Sequence, residues 1–299
     1  KGWRALAGLR YEEYRAEYSD TGGFSASPED ELVGGKLGLE YHYKDGNLAY
    51  VSLSRGYKAP GFNIDSRLDN TQKQYGSESL AGIEIGLKQV SQDGRLSTQV
   101  AVFYQDRKDM QVSQHIYIPV TANNAEPDWI QYTTNVSGGS NYGVEAEVTM
   151  AFTDRLSLST ALGLLKTEID EFTYTDGYGY EYVADGRDQA HAPRYQYAIS
   201  ANYLMAPSVL LNVSAEGKDE FYFSDSHDLK SDAFTLMNAR ISYFVDDWEL
   251  ALWGRNLTDE DYQVRGFGFG NDPRDNYAST GYYQLGEPRI VGVSAQYSF

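Results

Sequence analysis

The side chains best suited to catalysis or metal binding in this sequence are its four histidines, His42, His115, His191 and His227. Imidazole is a frequent general base and a frequent ligand of transition metals and metal chelates. None of the four has a second histidine four residues away, the spacing with which one face of a helix binds a metal. We therefore expect exposed histidines with ordinary surface roles and no resident metal.

The segment 224–228 reads Ser-Asp-Ser-His-Asp and contains the residue types of a hydrolytic triad. Neighbours within one short loop do not reach the geometry of serine, base and orienting acid, and the sequence has no Gly-x-Ser-x-Gly turn. The run from Gly266 to Gly270 is no nucleotide cradle, because no strand-turn-helix unit surrounds it. The sequence predicts neither an enzyme nor a cofactor-binding protein.

A tyrosine-rich acidic segment at 170–188 is a stronger candidate for binding. Aromatic rings flanked by hydrogen-bonding groups suit a planar ligand such as a catecholate, a sugar or a corrin. The alternatives are a solvated acidic loop and a calcium site, although the carboxylate spacing does not match an EF-hand. The predicted ligand contacts, in this segment and in an aromatic loop nearer the C-terminus, are Tyr174, Tyr178, Tyr180, Phe267, Phe269 and Tyr277.

Composition narrows the class of protein. The 299 residues carry a formal charge of −18, which excludes a nucleic-acid partner because phosphate binding needs clustered cations. The chain has no cysteine, which is compatible with an oxidising compartment. It also has 26 tyrosines and 29 glycines, a mixture that favours a β-rich protein over a helical one.

The spacing of apolar residues indicates which secondary structure could cross a membrane. No apolar run reaches the roughly 18 residues that a transmembrane helix needs. Apolar and polar residues instead alternate with a period of two, for example where Val291, Val293 and Ala295 alternate with Gly292 and Ser294. A transmembrane β-strand presents apolar side chains only at alternate positions, so its mean hydropathy resembles that of a soluble protein.

About twelve segments with this period are present, and the connections between them alternate in length. Short turns, such as that at 44–47, alternate with long connections at about 19–32, 59–77, 113–128, 170–189, 223–231 and 263–284. Outer-membrane barrels show this asymmetry, with short periplasmic turns and long surface loops. The predicted strands cover roughly 3–18, 33–44, 48–58, 78–91, 95–112, 129–152, 155–169, 190–205, 208–222, 232–245, 247–262 and 285–299.

A soluble protein of two packed sheets would also alternate. Its loops, however, would not sort by length, and its strands would be closer to the usual five or six residues. The predicted fold is therefore all-β, a transmembrane antiparallel β-barrel that occupies residues 1–299.

Three stretches carry a resemblance to the C-terminal half of TonB-dependent receptors. The first is the serine-rich strand that runs through Gly56-Tyr57 into Pro60-Gly61 and Phe62-Asn63. The second is Asn135 followed by the run Gly143-Val144-Glu145, although Val136-Ser137 stands where the family commonly has Ala-Gly. The third is the sequence from Asn256 to Tyr262, Asn-Leu-Thr-Asp-Glu-Asp-Tyr, followed by Gly-Glu-Pro-Arg and a last strand that ends on Phe299.

This resemblance implies the last twelve strands of a 22-strand barrel, with the plug domain and the N-terminal strands absent. It implies import of a scarce nutrient across the outer membrane of a Gram-negative cell, with a ferric siderophore as the expected ligand. The implied partners are this ligand, the TonB complex through the missing plug half, outer-membrane lipid, and the barrel-assembly machinery through Phe299.

Charged residues at the alternate, polar positions of the strands would then line the lumen and contact the plug. They are Arg4, Arg10, Lys36, Glu40, Glu84, Lys88, Glu145, Glu147, Glu216, Arg240, Glu249 and Arg255. The alternative is a self-contained pore of twelve strands, such as an autotransporter translocator, because an even number of strands can close. A porin or a membrane-embedded hydrolase is a third possibility.

Overall fold

The computed structural model describes residues 1–118, 128–175, 181–225, 227–270, 272–275 and 278–299. These residues form one antiparallel sheet of twelve strands, in which each strand pairs with its neighbours along the chain. The strands are β1 Gly2–Arg15, β2 Glu29–Lys44, β3 Asn47–Lys58, β4 Glu78–Val90, β5 Leu96–Ile118, β6 Asp128–Ala151, β7 Leu156–Asp170, β8 Tyr195–Ala206, β9 Val209–Lys218, β10 Phe234–Val245, β11 Trp248–Arg255 and β12 Ile290–Tyr297. The predicted number of strands is confirmed.

Two faces of the sheet differ as the period-two pattern predicts. One row across five strands, from β2 to β6, consists of Leu37, Leu53, Ile83, Tyr104 and Tyr142. The next row on the opposite face consists of Lys36, Ser54, Gly82, Gln105 and Asn141. The first face, here called the outer face, leaves its large apolar side chains uncovered by protein. The other is called the inner face.

The sheet is open. β1 and β12 stand at its two ends, and no pairing joins them in the described parts of the chain. The described strands therefore do not form the closed twelve-strand barrel that the alternative of a self-contained pore requires. The two outermost strands therefore keep one edge each without a strand partner in the described structure.

Some boundaries differ from the predicted ones. β5 and β6 are 23 and 24 residues long and extend into the segment predicted as a connection at 113–128. β11 ends at Arg255, because Asn256 has a left-handed backbone with φ of 47° and leaves the ladder. The chain beyond it pairs elsewhere, as a hairpin of Gln263–Phe269 with Thr280–Leu285.

The buried apolar residues lie mostly at one end of the sheet. With the exception of Ala251, they belong to the long connections or to strand ends among them. Three further short hairpins occur there, Tyr18–Ser19 with Ser25–Ala26, Gly61–Phe62 with Gln74–Tyr75, and Thr173–Thr175 with Glu181–Val183. We call this end, with its connections and strand extensions, the loop layer. No helix in the described chain has the length and apolarity to cross a membrane.

Candidate ligand-binding site

The loop layer is held to the sheet by amide side chains, of which Asn63 is buried and Asn135 is partly exposed. Asn63 donates from Nδ2 to the carbonyl oxygens of Gln72 and Thr133, both at 2.7 Å, and its Oδ1 accepts from the N–H of Thr133 at 2.8 Å. Asn135 accepts from the N–H of Gly76 at 2.6 Å and donates to the carbonyl of Asp109 at 2.7 Å. Gln111 of β5 donates to the carbonyls of Ala59 and Gly76, so the connection 59–77 is bonded to both β5 and β6.

A buried carboxylate joins the strands below. The Glu78 Oε1 accepts from Arg107 Nη2 at 2.6 Å, and its Oε2 accepts from Lys58 Nζ at 2.9 Å and from the N–H of Gln111 at 2.9 Å. Arg107 also donates from Nη1 to Gln189 Oε1 at 2.9 Å. These bonds compensate the desolvation of the carboxylate and link the adjacent ends of β3 and β4, through Arg107 of β5, to the connection after β7.

The connection after β7 contains the main apolar core of the loop layer. Ile169 and Phe172 are fully buried and pack with Met110 and Val112 of β5. Tyr174, a predicted ligand contact, is only 5% exposed and stacks on Tyr182 with ring centroids 5.3 Å apart. Burial raises the pKa of the Tyr174 hydroxyl. In this structure Tyr174 packs inside the loop layer and does not present its ring to solvent.

Arg187 connects this loop to the next one. Its side chain is 7% exposed, and Nη2 donates to the carbonyls of Ser224 and His227 at 2.7 and 2.5 Å. The guanidinium lies 3.8 Å from the ring centroid of Tyr222. Its Nη1 is 3.0 Å from Asp228 Oδ1, without the alignment of a hydrogen bond. The described parts of the connections after β7 and β9 are thereby packed together.

Below this unit, on the inner face, lies a cavity of about 620 Å³ that we call the luminal pocket. Gln196 of β8 and Lys218 of β9 are paired in register, and Phe234 of β10 follows Lys218 in the same row. The Phe234 ring contacts that of Tyr262 at a centroid distance of 4.7 Å. Three carboxylates complete the polar part of the wall, those of Glu145, Glu147 and Glu216.

One side of the luminal pocket combines a lysine with aromatic rings. Lys218 Nζ lies 4.5 Å from the Phe221 ring centroid and 5.4 Å from that of Phe234. Its hydrogen-bonding donors therefore stand beside aromatic faces, a combination that binds planar ligands with polar substituents. The inner-face positions predicted for Glu145, Glu147 and Glu216 are confirmed by their rows in the sheet.

Comparison with known proteins identifies the family. Residues 1–257 match the family model described as TonB dependent receptor-like, beta-barrel. The chain belongs to the TonB-dependent receptor family. The barrels of this family lie in the outer membrane.

One curated relative of this receptor chain is the vitamin B12 transporter BtuB of Photobacterium profundum. The two are 28% identical over 221 residues, which is 72% of this chain and 32% of BtuB. The receptor chain thus spans about a third of that relative's length.

Two solved structures show the same fold. The ferric yersiniabactin uptake receptor FyuA of Yersinia pestis superposes with a TM-score of 0.73 at 20% identity, over 99% of this chain and 43% of FyuA. The siderophore receptor PiuA of Acinetobacter baumannii gives 0.74 at 19% identity, over 98% of this chain and 40% of PiuA. The open sheet of this receptor chain therefore corresponds to part of a larger barrel.

Of the six predicted ligand contacts, the structure describes the side chains of Tyr174 and Phe267, and these two lie in different parts of the receptor chain. Phe267 lies in the hairpin after β11, is 42% exposed and stacks on Tyr282 at 5.8 Å, whereas Tyr174 lies in the core described above. Tyr178, Tyr180, Tyr277 and the side chain of Phe269 lie outside the described residues. Sequence reasoning missed Lys218, Phe234 and Tyr262, because positions so far apart give no common motif.

Three of the four histidines make contacts within the receptor chain. His191 packs on Phe221 at a centroid distance of 5.5 Å, and His42 Nε2 lies 3.0 Å from Glu40 Oε2. His227 Nδ1 accepts from the N–H of Leu229 at 3.3 Å, and burial, with Arg187 nearby, lowers the pKa of its imidazole. In the described chain, no three His, Cys, Asp or Glu side chains are grouped to hold a metal ion.

Proposed function

We propose that this chain is part of a receptor that imports a ferric siderophore across the outer membrane, and that the luminal pocket forms part of the ligand site. The observation that carries the proposal is the pocket itself, with aromatic, donor and acceptor groups on one wall below the loop layer. Its volume of about 620 Å³ lies within the range of small-molecule sites, about 300–1,000 Å³.

The charges of the pocket favour a chelate of low net charge. Lys218 and Gln196 donate hydrogen bonds to the oxygen donors of a chelate, and the Phe234 and Tyr262 rings pack against its apolar or planar parts. Glu145, Glu147 and Glu216 stand in the same wall and would repel a polyanion. A neutral hydroxamate complex of iron therefore suits this wall better than a triply charged catecholate complex.

The names of two similar receptors support a ferric siderophore as the general class of ligand. FyuA takes up ferric yersiniabactin, and PiuA is a siderophore receptor. A second candidate is a corrin, because the relative BtuB transports vitamin B12 and the luminal pocket offers aromatic surface to a large ring.

Release of the ligand into the periplasm would require energy from the TonB complex, acting through a plug that packs inside the full barrel. Contacts to that plug would come from inner-face charges such as Glu40 and Arg240. Assembly of the barrel would use the outer-membrane insertion machinery, with the terminal aromatic Phe299 as its recognition element.

The binding test uses two variants of the purified receptor, Lys218→Gln and Phe234→Leu, with Lys230→Gln as the matched control. Lys230 is paired with Glu220 in the loop layer and lies outside the pocket. Quenching of intrinsic fluorescence measures affinity for a ferric hydroxamate, a ferric catecholate, ferric citrate and cyanocobalamin.

We expect the two pocket variants to bind the ferric hydroxamate about tenfold more weakly, a loss of about 1.4 kcal/mol, with the control unchanged. If only cyanocobalamin binds tightly, the ligand of the luminal pocket is a corrin and not a siderophore. Affinities that are identical in all three variants would show that the luminal pocket is not the ligand site.

A further inference from the structure

The outer face carries a groove on the first three strands, which we call the outer groove. It has a volume of about 530 Å³ and is lined by apolar side chains that include Leu9, Leu37 and Leu53. Leu9 is 84% exposed, so its side chain stands out from the sheet and forms one wall. The groove is apolar along most of its length, as expected for a surface in contact with hydrocarbon.

A glycine forms the floor of the groove. Gly35 lies in register between Leu9 of β1 and Arg55 of β3. A Cβ at this position would collide with the backbone carbonyl oxygen of Gly8. The close approach of β1 and β2 therefore requires glycine, and the missing side chain leaves the depression open.

An arginine stands at one end of the groove. Arg55 has Gly35 on one side and the small Ala81 on the other. Among the residues that the structure describes, its guanidinium makes no ion pair or hydrogen bond. The nearest outer-face carboxylate, that of Asp106, lies in the same row beyond Ala81, two strands or about 10 Å away, and Glu13 and Glu31 lie four positions further along β1 and β2.

The row that contains Arg55 marks the border of the apolar face. Continuing through Ala81, this row reaches Asp106, Ser140 and Glu168 on the outer face of the next strands. The adjacent row toward the short turns is apolar through Leu53, Ile83 and Tyr104. Arg55 thus lies at the depth where lipid head groups meet hydrocarbon, on the side of the loop layer.

We propose that the outer groove binds a phosphorylated acyl lipid of the outward-facing leaflet. One acyl chain lies along Leu9, Leu37 and Leu53, and the lipid phosphate contacts the Arg55 guanidinium. Arginine suits this role because its planar, permanently charged fork binds phosphate through two parallel hydrogen bonds. This inference is independent of the ligand that the receptor transports, because the groove lies on the opposite face from the luminal pocket.

The test compares lipids that differ only in phosphate. The purified, delipidated receptor is titrated with dioleoyl phosphatidic acid or with dioleoylglycerol, and bound lipid is counted by native mass spectrometry. A third arm adds inorganic phosphate as a competitor. The variants are Arg55→Ala, Arg55→Lys and Ala7→Phe, the last of which fills the groove with an exposed apolar ring.

We expect Arg55→Ala to weaken phosphatidic acid binding about tenfold and to leave dioleoylglycerol unchanged, with Arg55→Lys between wild type and alanine. Ala7→Phe should weaken both lipids. The matched control is Arg155→Ala, which removes an exposed arginine from the short turn 152–155 at the opposite end of the sheet and should change neither.

Two results would overturn the proposal. One is phosphatidic acid binding that is unchanged in both Arg55→Ala and Ala7→Phe. The other is displacement of the lipid by millimolar inorganic phosphate with no effect of Ala7→Phe, which would reduce the site to an adventitious anion contact. The heat-dependent mobility of each variant in gel electrophoresis confirms that its barrel is folded.

Discussion

The sheet and the loop layer solve the problem of burial in opposite ways. In the sheet, the large apolar side chains of the outer face are exposed, Val293 by 80%, and the polar residues face inward. In the loop layer, Ile169 and Phe172 are 0% exposed and the polar residues face outward or pair with one another. The difference follows from the solvent, because lipid accepts apolar side chains whereas a layer in water must build its own core.

The ion pairs of the loop layer and of the sheet also differ in how far they are exposed to solvent. Two ion pairs of the loop layer, Lys73 with Asp20 and Arg107 with Glu78, have carboxylates at most 9% exposed. Pairs on the inner face of the sheet, such as Arg240 with Glu249, remain more open to the lumen. The loop layer therefore behaves as a packed soluble structure on a membrane scaffold, and substitutions should have different costs in each region.

Truncation of a core ring tests this difference most strongly. Phe172→Ala should lower the free energy of unfolding of the loop layer by about 3–5 kcal/mol, because it leaves a cavity in a fully packed core. The matched change on the outer face, Leu9→Ala, removes a side chain that only lipid surrounds and should cost much less. Hydrogen exchange under native conditions measures the first cost at the amides of the loop layer and the second at the amides of β1 and β2. Equal costs would contradict the comparison.

Charge insertion tests the two faces of the sheet. Val102 points to the outer face and its neighbour Ala101 to the inner face. Val102→Arg should cost about 2–4 kcal/mol in lipid, whereas Ala101→Arg, which approaches Glu145, should cost little. Denaturant unfolding in liposomes measures the difference. A larger cost at Ala101 would reverse the assignment of the faces.

Loss of one amide should release a loop and leave the sheet intact. Asn63→Ala removes two hydrogen bonds between the connection 59–77 and Thr133 of β6 and one within the connection, at a cost of about 1–3 kcal/mol. Limited proteolysis should then cleave 59–77 faster. Asn70→Ala, an exposed amide in the same connection, is the control. Slow cleavage in both variants would show that Asn63 does not hold the loop.

Acid should destabilise the connection between β1 and β2, and we expect this effect to be the smallest of the four. The hydrogen bond from Lys73, with a second from the N–H of Phe24, lowers the pKa of Asp20. A lowered pKa in the folded state means that the pair stabilises the fold above the unfolded pKa, about 3.9, and that this is lost as pH falls through the folded pKa.

Hydrogen exchange at residues 16–28 should therefore be constant between pH 7 and pH 5, after correction for the intrinsic rate, and should rise below about pH 4. Asp20→Asn should remove this rise. A rise that begins near neutral pH would indicate that another group controls the connection.

The sheet could be predicted from the sequence far better than the loop layer. In segments such as 291–295, the alternation of apolar and polar residues shows which face of the sheet each side chain lies on. The pattern is regular because one face contacts lipid along the whole membrane-spanning part of each strand. The extension of β5 from residue 112 to Ile118 was missed because three polar residues in succession, Ser113, Gln114 and His115, interrupt the apolar alternation there.

The candidate site shows the same limit. The inner-face positions of Glu145 and Glu216 follow from strand parity, but the contact of Phe234 with Tyr262 depends on the break at Asn256. That break is made by side-chain bonds from Asn256 to the carbonyls of Glu260 and Glu287, which no local pattern reveals. Tyr174 has the residue type of a ligand contact, and only its packing shows that it is covered.

The measurement that tests the central claim most directly is uptake of a radiolabelled ferric siderophore by cells that carry the receptor, with and without TonB. The account predicts accumulation of iron that requires TonB and that falls about tenfold with Lys218→Gln, the residue that places a donor in the luminal pocket. Uptake that is indifferent to TonB, or absent for every iron chelate and corrin, would contradict it.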